Sequence, residues 1–134
     1  NTSNGVYTDA GAYYAYSPAD AAYYYGWIPV HLPNGMVVTQ MYGQGYTYAD
    51  ANSSISLELY QMSKDTATRN SMALCQFSNG GTSATDNTIA NATIDHSTYA
   101  YLVYVNIRSQ TAVTTSKFFH LSITGTTANM SQTQ

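Results

Sequence analysis

Ser54-Ile55-Ser56-Leu57-Glu58-Leu59-Tyr60 alternates polar and apolar side chains without a break. In an extended chain successive side chains point to opposite faces, so Ile55, Leu57 and Leu59 share one face while Ser56 and Glu58 share the other. Such a segment buries one side and wets the other, as a strand covering a core does. Outward from it, Lys117 to Thr124 repeats the alternation and predicts Phe119, Leu121 and Ile123 inside, His120 and Ser122 outside. Tyr99 to Arg108 is apolar on both sides, with Tyr101, Val103, Val105 and Ile107 on one and Leu102 and Tyr104 on the other, which suits a central strand.

Further strands are predicted at Val6 to Thr8, Ala12 to Tyr16, Ala22 to Trp27, Met36 to Gln44, Ser71 to Phe77 and Thr85 to Ala90. No segment carries a long helical stripe. Turn chemistry separates the strands at Pro33-Asn34-Gly35, Asp50-Ala51-Asn52, Asn79-Gly80-Gly81 and Asp95-His96-Ser97. The chain therefore reads as all-β: a single β-sandwich of Greek-key or jelly-roll type with eight or nine short strands, a small closed barrel being the alternative. One domain accounts for residues 1–134, with polar, patternless tails at 1–5 and 125–134.

The fourteen tyrosines outnumber the charged side chains, of which four are basic and seven acidic. With 8 % charged residues the surface must rest on hydroxyls and amides. Lys64, Arg69, Arg108 and Lys117 are the cations, too few to neutralise many phosphates, so nucleic acid and anionic membrane surfaces are disfavoured, and no membrane insertion is expected. The chain starts at Asn1 without a signal-like segment, and the expectation is an extracellular or cell-surface protein whose signal has been removed.

Tyrosine joins an apolar ring to a wet hydroxyl and is enriched where surfaces meet. In Tyr23-Tyr24-Tyr25 a period of two sends Tyr24 opposite to its neighbours, so aromatic rings must emerge on the outer face. The candidate interface or stacking residues are Tyr7, Tyr13, Tyr14, Tyr16, Tyr23, Tyr24, Tyr25 and Trp27.

Catalytic and metal-binding patterns are weak. The seven acids are scattered, and His31, His96 and His120 lack ligand-like spacing. Asp50-x-Asn52-x-Ser54 opens like a calcium loop, but Ile55 replaces the turn glycine and Gln61 the bidentate glutamate. No catalytic residue, metal or cofactor is expected, and the protein reads as a non-enzyme. His31, flanked by Pro29 and Pro33, is expected to bond a backbone group at a bend. Cys75, the single cysteine, sits among apolar neighbours and reads as a buried small hydrophobe. Sequons at Asn1, Asn52, Asn91 and Asn129 offer acceptors for N-glycosylation.

Trp27-Ile28-Pro29-Val30-His31-Leu32-Pro33-Asn34-Gly35 with the strand after it, then Ile55 to Tyr60 and Ile94 to Tyr101, resembles a loose group of uncharacterised secreted bacterial β-sandwich proteins. Pro-Val-His-Leu-Pro-x-Gly is the most specific piece. The resemblance implies an exported single sandwich and supplies no enzymatic residues.

These features together lead to a secreted structural subunit that self-assembles with other copies of itself into a filament or surface layer, through tyrosine-rich faces and its terminal segments. One form is strand complementation, with Asn1 to Ala10 completing the sheet of the next copy. The alternative is a carbohydrate-binding module that stacks polysaccharide on exposed tyrosine and tryptophan.

Overall fold

The computed structural model describes residues 2–8, 15–16, 23–108 and 116–128, with side chains over 25–108 and 116–127. Nine strands occur among them: β1 (Thr2–Thr8), β2 (Ala15–Tyr16), β3 (Tyr23–Pro29), β4 (Val37–Tyr46), β5 (Ser54–Ser63), β6 (Arg69–Ser78), β7 (Ser83–Asp86), β8 (Tyr99–Arg108) and β9 (Lys117–Ala128). They form two sheets, ordered β1-β9-β4-β7 and β3-β8-β5-β6, with β2 pairing β9 beside the first. Every pairing is antiparallel. From β3 onward the chain crosses between sheets at every step but β5 to β6. That is the connectivity of a jelly roll, which makes the domain a jelly-roll β-sandwich.

Alternation builds the core as the sequence predicts in β5 and β8. Ile55, Leu57, Leu59, Val103, Val105 and Ile107 all point inward and are buried, with Met41, Phe118, Leu121 and Ile123 facing them from the other sheet. β8 lies between β3 and β5, the central position expected of a strand apolar on both sides. Cys75 is buried, its thiol donating to the Met41 carbonyl at 3.3 Å. Burial first, then the Asp86 charge, push that thiol up to about 11.

The two edges near β6 and β7 are tied together by one carboxylate. Asp86 Oδ2 accepts from the Leu74 amide at 2.8 Å, and Oδ1 accepts from the Thr88 amide at 2.7 Å. The second bond turns the chain, which is why β7 covers Ser83–Asp86 and not the predicted Thr85 to Ala90.

Three other expectations are corrected. In β9 the alternation breaks: Phe118 is 1 % exposed and Phe119 39 %, the reverse of the inward place predicted for Phe119. The register with β4 steps from Gln44↔His120 to Gly45↔Phe118, so Phe119 is the extra residue of a bulge and the parity of the strand changes there. The polar tails are partly strand, since Thr2 to Gly5 pair with Ala128 to Gly125 in a seven-pair register. Ladder bonds join backbone groups and need no hydrophobic pattern. Finally, His31 is exposed, and His96 is the histidine that meets a backbone group, its Nε2 lying 2.5 Å from the Leu32 carbonyl.

That contact belongs to the crossing from β3 to β4, where the Pro-Val-His-Leu-Pro-x-Gly stretch lies. Val30, Leu32 and Met36 enter the core, while Gly35 at φ 83° closes the turn with a Met36 amide bond to the Pro33 carbonyl of 3.1 Å. The loop before β8 clasps it: the Gly35 amide donates to the Ile94 carbonyl at 2.8 Å, the Ile94 amide to the Met36 carbonyl at 2.8 Å, and the His96 amide to Asn34 Oδ1 at 2.8 Å.

Candidate functional site

Over the described side chains the inner faces of both sheets are filled by the core, which leaves loops, edges and outer faces as candidate contact surfaces. On β3 the side chains opposite to Ile28 point out, which exposes Tyr25 (54 %) and Trp27 (42 %). Register then decides what stands beside them. Tyr25 is opposite Asn106 of β8, which is opposite Ser56 of β5; Trp27 is opposite Tyr104, which is opposite Glu58. Leu102 and Tyr60 form the next row.

Aromatic rings from three strands thereby meet on one face. Tyr25 and Tyr104 stack at 5.9 Å between centroids with 17° between planes, Trp27 lies 4.7 Å from Tyr104, and Tyr60 lies 5.9 Å from Trp27. Arg69 at the start of β6 is exposed, and its guanidinium sits 5.5 Å from the Trp27 ring centroid and 4.9 Å from that of Tyr60. The Tyr60 hydroxyl donates to Glu58 Oε1 at 2.7 Å. That bond, with burial and the Glu58 charge behind it, holds the Tyr60 pKa above the usual phenol value. Ser56, Asn106 and Gln76 add amides and hydroxyls beside the rings.

Among the described side chains the outer face of the opposite sheet is sparser in aromatic rings. Tyr46 and Phe119 are exposed there, and Tyr42 lies 6.4 Å from His120, among Thr39, Gln40 and Gln44.

Of the residues expected at a contact surface, Tyr25 and Trp27 are brought together in this way. Tyr7, Tyr16, Tyr23 and Tyr24 lie in β1, β2 and β3 with side chains outside the described set, and Tyr13 and Tyr14 fall outside the described residues. Sequence reasoning missed Tyr60, Tyr104 and Arg69 as members of the surface. The outward parity of Tyr104 was legible, but its adjacency to Trp27 is a property of strand order. Of the sequons, Asn91 is exposed in a turn at φ 52°, Asn52 is partly buried beside the fully buried Ser53, and Asn1 and Asn129 lie outside the described residues. In the loop that opens like a calcium site, Asp50 Oδ1 accepts from the Asn52 amide at 2.9 Å in an Asx turn.

The fold defines a jelly-roll sandwich with an aromatic outer face. No protein-family model matches the chain, and no curated protein does. Among solved structures it is similar to the infectious bursal disease virus Gx strain, with TM-score 0.55, 13 % identity, 96 % of this chain and 32 % of that one covered. The subviral particle of the same virus's VP2 gives 0.54 and 13 %, with 96 % and 33 % covered. A xylan-binding module, CBM15, gives 0.47 and 10 %, with 92 % and 97 % covered. This chain spans about a third of the two viral chains. At such identities the likeness is one of fold, on which many functions sit.

Proposed function

We propose that this domain is a carbohydrate-binding module that lays a polysaccharide along Tyr25, Tyr104, Trp27 and Tyr60. The observation that carries the proposal is the meeting of these four rings on one solvent-facing sheet surface. The rings lie outside the jelly-roll core, and the apolar area that Tyr25 and Trp27 leave exposed beyond their cross-strand contacts is area a partner can cover. Sugar rings fit that role: their C–H faces bury against an aromatic ring while their hydroxyls bond to groups such as Ser56, Asn106, Gln76 and the tyrosine hydroxyls. Affinity electrophoresis through gels containing soluble polysaccharides tests this. Trp27→Ala and Tyr104→Ala are expected to abolish retention, and Tyr46→Ala, on the other sheet, to leave it intact. Retention by no polysaccharide, or undiminished retention of Trp27→Ala, would refute the proposal.

Self-association is the second function, and the edge position of β1 favours it. β1 pairs with β9 of its own chain through seven residue pairs, and exchange of that strand between copies would recreate the same ladder intermolecularly. The low charge would ease such contact. Light scattering on the full chain and on a chain lacking residues 1–10 separates the cases: a monomeric full chain removes self-association, and large assemblies that dissolve on deletion support it.

A further inference from the structure

We infer that the aromatic face takes an acidic polysaccharide, one carrying uronate carboxylates, and that Arg69 sets this preference; the inference rests on the carbohydrate-binding proposal above. The chain has four basic side chains. Two of them stand on the outer face of the β3-β8-β5-β6 sheet. Arg69 lies over the Trp27 and Tyr60 rings, and Arg108 stands opposite Ser54, one row beyond Asn106 and Tyr25. Arg69 is the guanidinium in contact with the aromatic row, and Arg108 shares the outer parity of β8 with Asn106 and Tyr104. Of the other two, Lys64 donates to the His96 carbonyl in a loop, and Lys117 belongs to the other sheet.

Arg69 is suited to carboxylate recognition by its setting. An exposed arginine normally samples many rotamers, and fixing it costs entropy when a ligand binds. Here the two ring faces hold the guanidinium beside the surface on which a sugar would stack, so less of that entropy is lost on binding. Its planar fork can donate two parallel bonds to a carboxylate projecting from a stacked ring, which a lysine cannot do.

Glu58, the carboxylate of the same face, opposes this attraction. Its Oε1 accepts the Tyr60 hydroxyl bond, which spreads part of its charge. The net charge of −3 gives no long-range pull on a polyanion, so recognition is local and depends on few ion contacts.

The test uses the full chain against polygalacturonate and alginate, each beside its carboxyl-reduced neutral form, with affinities from titration calorimetry at low salt. The wild type is expected to bind at least one acidic polymer about tenfold more tightly than its reduced form. Arg69→Gln should erase that ratio, so that the acidic and reduced forms bind alike. Arg69→Lys should recover only part of it, and Glu58→Gln should raise it. Arg69 is exposed and its variants lose only its contacts with two rings, so they should stay folded and melt within a few degrees of the wild type, which a thermal scan verifies. Equal affinity for acidic and reduced polymers, or an unchanged ratio in Arg69→Gln, overturns the inference and leaves stacking on the face intact. Absence of binding to every acidic and neutral polysaccharide overturns the carbohydrate-binding proposal along with it.

Discussion

Gly45→Ala should weaken the fold more than Gly43→Ala, although the two glycines lie two residues apart in β4 and both face the core. A Cβ at Gly45 would stand 2.4 Å from the Lys117 carbonyl oxygen and 2.9 Å from Ile55 Cδ1. The carbonyl belongs to β9 at the bulge that turns Phe119 outward, so it cannot swing aside as a side chain can. Reaching ordinary contact requires β4 and β9 to part by about 1 Å there, which stretches ladder bonds on both sides. At Gly43 the nearest atom, also at 2.4 Å, is Leu57 Cδ1, and the next lie at 3.6 and 3.7 Å. A rotation of the leucine relieves that contact. Overpacking costs about 1–3 kcal/mol, and replacing glycine by alanine returns about 0.4–1 kcal/mol through the unfolded chain where the native backbone suits alanine. Gly43→Ala should therefore fall within about 1 kcal/mol of wild type, and Gly45→Ala should lose about 2 kcal/mol. Denaturant unfolding followed by Trp27 fluorescence measures both, with an unchanged slope marking a stability effect alone. Equal losses, or a larger one at Gly43, would refute the claim that the bulge carbonyl is what requires a glycine at 45.

Three further outcomes follow from the interior. Cys75, buried and with its pKa pushed up to about 11, should resist a disulfide-exchange reagent at pH 8 in the folded protein and react at once in denaturant; rapid reaction without denaturant would show the sheets parting there. Because the folded value lies above that of the unfolded thiol, the unfolded chain binds fewer protons between about 9 and about 11, so this group's stabilisation falls as pH rises through that window. The fall should be shallower in Cys75→Ala, with the tyrosines as a shared background, and parallel slopes would count against it. Tyr101→Phe removes the 2.8 Å bond from the Asp95 amide to the Tyr101 hydroxyl under a buried ring, and should cost about 1–2 kcal/mol in the same unfolding assay; a loss under about 0.5 kcal/mol would mean that the bond is replaced by solvent.

Legibility in the sequence followed the reach of the interactions involved. β5 and the core side of β8 were readable because alternation is a local steric property and both strands lie flat against one core. The turn at Pro33-Asn34-Gly35 was readable for the same reason, since Gly35 takes the positive φ that its place requires. The parity of Phe118 and Phe119 was not, because it depends on a bulge stabilised against a glycine in another strand, far away in sequence. Nor was the pairing of polar β1 with the end of β9, where backbone groups do the work. The exchange of roles between His31 and His96 has a similar cause: the carbonyl that needs a partner is Leu32, and the loop that reaches it comes from beyond residue 90.

The candidate site divides in the same way. Abundant tyrosine and scarce charge led, without any structure, to the expectation of a contact surface built from hydrogen-bonding and aromatic groups, and alternation told that Trp27 and Tyr25 share a face. Which other rings join them was settled by the jelly-roll strand order, which sets β8 beside β3 and β5 beside β8, and by the register that aligns Trp27 with Tyr104 and Glu58. Composition and periodicity act within a few residues and so can be read along the chain; adjacency across a sheet comes from long-range pairing, whose register is chosen by the fit of the whole core.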